Sequence, residues 1–245
     1  MSDDWMQFYY LQPRPERFVD EVRRLAAQGS LADLERAFPI IVFMSCLIAA
    51  NPSKCRDWFD ALSDLSPSDL RSLKAAAELS RVPGAQAYFS VGSTQSGEPG
   101  SVADILELPV DHPIILDALW ARYFATGDMR AVRRIIEALN YMSDYGAAKA
   151  YAQSSKTDDD RARALRDGLF QAASWSLESL IGIHGHLKAF CGELVRSGNL
   201  TPTERCALAI ILAKLDPATW DVKIDPITGV ASVTWTGGSR PPLGN

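Results

Sequence analysis

The chain has 245 residues, 47% of them hydrophobic and 22% charged, with 25 Lys and Arg against 30 Asp and Glu. This balance is ordinary for a globular protein and excludes collagen-like, low-complexity and wholly disordered classes. A net charge of -5 offers no basic face to meet phosphates, so a nucleic-acid partner is not expected.

The first residues, Met1-Ser2-Asp3-Asp4-Trp5, carry two acids and no base before Arg14, unlike the basic start of a secretory signal. Trp5, Phe8, Tyr9 and Tyr10 then crowd together ahead of Pro13. Two readings stand side by side. Apolar burial packs this segment across the first helices. Otherwise it is an exposed anchor for a partner, since Tyr and Trp are common interface hot spots. These four aromatics are the candidate binding residues.

Helical signals follow. Pro15 suits a first helical turn, and Phe18, Val22 and Leu25 share a face that Gln28-Gly29 closes. Ser30 restarts a short helix. Pro39 opens the longest apolar run, residues 39–50, which is too short to span a hydrocarbon core of about 30 Å and reads as a buried helix. Membrane-surface association through this run is a rival. Asn51-Pro52 leads into Trp58, Phe59 and Leu62. Ser66-Pro67-Ser68-Asp69 starts a helix that ends before Pro83-Gly84. Residues 92–100 are the clearest loop.

Pro113 opens an amphipathic stretch with Leu116, Leu119, Trp120, Tyr123 and Phe124. Gly127 and Asp128 then suit a turn and a cap, and Val132, Ile135, Ile136 and Leu139 form a second stripe. The spacing predicts an antiparallel pair over 113–126 and 128–142, with Trp120 and Ile136 buried. Asp158-Asp159-Asp160 opens the next helix, with Leu169, Ala173, Leu177 and Leu180 inward. Another runs from Leu187 to Arg196. Thr201-Pro202-Thr203-Glu204 is a capping box, and Asp216-Pro217 ends the helix after it. Residues 220–224 and 231–235 alternate around Asp225-Pro226-Ile227-Thr228-Gly229, which reads as a β-hairpin.

The stretch from Leu119 to Leu139 is similar to part of a tetratricopeptide repeat: Leu119, Tyr123, Gly127 and Asp128 stand at its Leu, Tyr and Gly-Asp positions. It departs at Trp120 and Val132, where small residues are usual, and no second copy follows at the repeat's period. The chain as a whole resembles a group of uncharacterised bacterial helical proteins. The matching residues are Phe8-Tyr9-Tyr10 with Pro13, Pro15 and Glu16; Phe43 with Asn51-Pro52 and Trp58; Leu116-Asp117 with Leu119-Trp120; Phe124 with Thr126-Gly127-Asp128; and Ala173 with Trp175-Ser176-Leu177. That resemblance implies a compact helical-repeat fold and carries over no catalytic residue.

His184-Gly185-His186 is the one constellation that invites metal or acid–base chemistry, but on helices the two rings diverge, and polar turn residues are the plainer reading. No H-E-x-x-H, nucleophile elbow or phosphate-binding loop is present in the sequence. Cys46, Cys55, Cys191 and Cys206 form no C-x-x-C, and Cys46 and Cys206 read as small core residues.

The expected architecture is mostly α: stacked helix hairpins, either α-solenoid-like or an irregular bundle, over residues 1–218. A β-hairpin at 219–236 packs on it, and a frayed tail covers 237–245. The expected function is a non-catalytic protein–protein interaction module in the cytoplasm, binding another protein or peptide. A narrower form is an inhibitor or immunity-type partner of another bacterial protein. No catalytic residue, metal site, cofactor or membrane span is expected. The alternative is a hydrolase using His184 or His186 with a nearby carboxylate or metal.

Overall fold

Prolines and short polar caps set most of the helix starts in the computed structural model, which describes residues 5–90, 104–153, 157–224 and 231–235. The protein is mostly helical, with eleven α-helices among the described residues. The expected loop at 92–100, the turn at 225–229 and the tail at 237–245 lie outside them. The chain divides into two compact units, Met1–Val110 with Ile114–Arg134, and Asp111–Pro113 with Ile135–Asn245.

In the first unit, a 3-10 turn at Pro15–Arg17 leads into α1 (Phe18–Ala27), and Phe18, Val22 and Leu25 are buried as one stripe. The short helix expected from Ser30 does not form. Asp33 Oδ1 instead accepts from the amides of Glu35 and Arg36 at 3.0 and 3.1 Å. A local side-chain acceptor of this kind competes with helix propagation and leaves a turn. The Leu31 carbonyl in the same segment accepts from the Ser72 hydroxyl at 2.7 Å, which ties the turn to the helix carrying Ser72.

α2 (Phe38–Ala50) is apolar all round, and Ile41 to Ser45, Leu47 and Ile48 are buried. It therefore sits inside the unit, packed along α4 (Pro67–Leu79). No single helix among the described residues is long and apolar enough to cross a membrane. α3 (Cys55–Ala61) follows a 3-10 turn at Pro52–Lys54 and stacks Trp58 on Phe18, 4.2 Å between ring centroids. Ser66 caps α4 by accepting from the Asp69 amide. The sequence pattern stops at Pro83-Gly84, yet α5 (Pro83–Ser90) begins there, because proline at a first turn starts helices as well as ending them. Its Tyr88 and Phe89 rings close over Phe59.

α6 (Pro113–Thr126) and α7 (Met129–Glu137) flank Gly127, whose φ of 71° is the left-handed conformation the turn needs. Trp120 and Ile136 are buried as expected. The expected helix to residue 142 ends at Glu137 and continues as a 3-10 segment, Ala138–Asp144. Trp120, standing where the tetratricopeptide pattern has a small side chain, stacks on Phe124 of its own helix.

In the second unit, the 3-10 segment and α8 (Ala147–Gln153) lie along α9 (Asp158–Ile183), which also carries α10 (Gly185–Ser197) and α11 (Pro202–Leu215). Thr157 and Asp160 form the capping box of α9, and Thr201 and Glu204 that of α11. Asp167 is fully buried, and its carboxylate accepts from the Gly146 and Ala148 amides at 3.1 and 2.9 Å. The inner face of α9 is Leu169, Ala173, Leu177 and Ile181, while the expected Leu180 is half-buried. The backbone runs as two short extended segments, β1 (Trp220–Ile224) and β2 (Ala231–Trp235), after α11.

Candidate functional site

The aromatic N-terminus is not one exposed surface. Trp5 and Tyr9 are 7% and 4% exposed and form a triangle with Phe43 of α2, the ring centroids 5.2 to 5.7 Å apart. This corrects the anchor reading for both: edge-to-face contacts inside the unit leave them no face for a partner. Burial raises the Tyr9 pKa, against a hydrogen bond with Asn51 that lowers it. Phe8 and Tyr10 are half-buried. Tyr10 donates its amide to the Phe124 carbonyl at 2.9 Å, and its ring lies 4.8 Å from Tyr123. It also closes over Gly127, where an added Cβ would come within 3.2 Å of Tyr10 Cδ2.

His184 is the single residue between α9 and α10, so the expected break between helices is present, but its ring is only 2% exposed. His184 is thus a turn residue, as expected, but a buried one, and its burial lowers its pKa. His186 is exposed on α10. One residue is buried and the other exposed. Among the described residues no group of three His, Cys, Asp or Glu side chains is arranged to hold a metal. None of the four cysteines is in a disulfide, and Cys55 and Cys191 are buried, the thiol of Cys191 pushed up to about 12 by desolvation. Cys46 and Cys206, expected in the core, are half-buried.

Two features were not legible as sites in the sequence. The first is a charged network in the first unit. Arg122 Nη1 donates to Asp104 Oδ1, and its Nε and Nη2 to Asp128 Oδ2, each at 3.2 Å. Arg130 donates to both Asp128 oxygens, and the Asp128 carboxyl is held down at about 2 by Arg130 first and Arg122 after it. Asp104 stands between two clefts. One, of about 180 Å³, is walled by α2, the end of α4 and Arg122. The other, of about 370 Å³, is shallower and edged by Glu107, Arg130, Arg133 and Arg134.

The second feature lies on α9 in the second unit. Trp175 is 74% exposed and Ile183, two turns on, is 55% exposed. Between them on that side of the helix run Ser179 and Gly182, with Ala172 one turn before. Their short side chains leave the indole standing clear of the helix. The chain matches no known family model, and no curated protein or solved structure is significantly similar to it.

Proposed function

We propose that the protein is a non-catalytic protein-binding module whose contact surface is the Trp175 face of α9. The observation that supports this is the exposed indole. A tryptophan in water leaves a large apolar area unburied, and Trp is the residue type most enriched where binding energy concentrates. Ile183 extends the apolar surface. The resemblance to bacterial helical proteins includes Ala173 and Trp175-Ser176-Leu177, the same turn of α9. In the narrower form of this reading, the protein is an inhibitor or immunity-type partner of another bacterial protein and acts in the cytoplasm. The finer architecture belongs to the same proposal: helices stacked as irregular hairpins, with β1 and β2 closing a hairpin on α11.

The test compares tagged wild-type protein with Trp175→Ala and with Trp175→Ala/Ile183→Ser in affinity capture read by mass spectrometry. A partner lost from both variants, at unchanged melting temperature, is the expected result. Tyr9→Ala serves as the control and should lower the melting temperature while leaving capture intact. Identical captured proteins from all variants would overturn the assignment of this face.

A further inference from the structure

The smaller cleft in the first unit has the makings of a ligand site separate from the α9 face. Val42, Ser45, Cys46 and Ala49 sit at i, i+3, i+4 and i+7 on α2 and form one wall. Leu79 and Ile105 add apolar surface, and the charged groups of the lining are Arg81, Arg122 and Asp104. About 180 Å³ is well below the roughly 300–1,000 Å³ of a drug-sized site, so the ligand has few atoms.

The chemistry narrows it further. The Ser45 and Ser80 hydroxyls donate to carbonyls of their own helices, Val42 and Ala77, both at 2.7 Å. Neither donor is left to read a sugar or an alcohol. Arg122 uses three of the five N–H donors of a guanidinium, all at 3.2 Å, longer than the about 2.7–2.9 Å of strong charge-assisted bonds. Two donors remain, enough to grip one carboxylate. Asp104 and Asp128 already offset much of the Arg122 charge, which favours a single negative charge over a phosphate dianion. The Cys46 thiol, its pKa raised by burial, forms part of the wall and is a slow nucleophile.

We propose that this cleft binds a small aliphatic carboxylate, its charge on Arg122 and its chain against Val42, Ala49, Leu79 and Ile105. So small a ligand binds with a Kd on the order of 1 mM. The test is maleimide labelling of Cys46 in the full chain, followed by peptide mass spectrometry with Cys206 as internal reference. Sodium pentanoate at about ten times Kd should slow Cys46 labelling by about tenfold and leave Cys206 unchanged. Sodium phosphate and pentan-1-ol at the same concentration should not protect. Arg122→Gln should abolish protection. Because that change also cuts the links to Asp104 and Asp128, Ala49→Phe is the second variant: Ala49 is exposed at the cleft mouth, so an added ring blocks entry without touching the core. Protection that survives in Ala49→Phe, equal protection by phosphate or pentan-1-ol, or none by pentanoate would each overturn the proposal.

Discussion

Asp128 holds the start of α7 through the Arg130 amide at 3.0 Å and binds the guanidiniums of Arg122 and Arg130 with the same carboxylate. A carboxyl lowered from 3.8 to about 2 stabilises the folded state at pH above its unfolded value and loses that contribution as pH falls through the folded one. Asp128→Asn should therefore cost on the order of 1–2 kcal/mol at neutral pH, with the gap closing toward pH 2. Urea titrations at stepped pH measure it, and a gap independent of pH would assign the loss to packing. His184 works in the opposite chemical sense but the same pH direction. Its folded pKa lies below the ordinary 6.5, so the unfolded chain takes up the proton first and stability drains as pH falls below that value. Replacing buried His184 by Asn should lower the melting temperature and flatten this slope, while exposed His186→Asn should stay within about 0.5 kcal/mol. Equal effects of the two substitutions would contradict the inward and outward placement.

At the scale of elements, Ile136 is fully buried near the end of α7, and Ile136→Ala should cost about 2–5 kcal/mol by lost burial and a residual cavity. Chemical denaturation reads it, and a loss under about 1 kcal/mol would place that stripe in solvent. Elements whose signals are local were legible in the sequence. The box at Thr201 and Glu204, the Ser66 cap and the Gly127 turn each rest on residues within a few positions of one another, and each stands where the pattern put it. Elements that depend on distant partners were not. α8 follows no capping signal of its own, because its first amides bond to Asp167 of α9. α5 is held by Phe59 across the unit, and its opening proline reads equally as a breaker. The candidate sites were hidden for the same reason. Arg122, Asp104 and Cys46 come from three separate stretches of chain, and periodicity puts Trp175 opposite Ala173 and Leu177 without marking that face as a contact surface.

Over the whole molecule, acids exceed bases by enough to set the isoelectric point near 5.3. Proteins lose mutual repulsion where net charge vanishes, so self-association measured by light scattering should peak close to that pH and recede on either side. A scattering maximum far from it would mean that a specific apolar face, such as that of Trp175, dominates contact between copies. The expectation of a mostly helical protein was legible at this scale because amphipathic stripes and helix-starting prolines and caps recur along the chain. The division into two units was not, since it falls within a continuous helical stretch and no composition change marks it.

The buried carboxylate of Asp167 has a consequence for the order in which amides meet solvent. It receives the Gly146 and Ala148 N–H groups, while Gln171 Nε2 holds its other oxygen at 2.8 Å. A seven-residue helix is too short to persist alone in water, so α8 borrows its nucleus from a neighbour. Deuterium should therefore reach the Ala148 amide only when α9 itself opens, and the two should exchange with one common protection factor. Asp167→Asn should release Ala148 to fast exchange and leave the interior amides of α9 slow. Fast exchange at Ala148 in the unaltered chain would show that α8 stands or falls by itself.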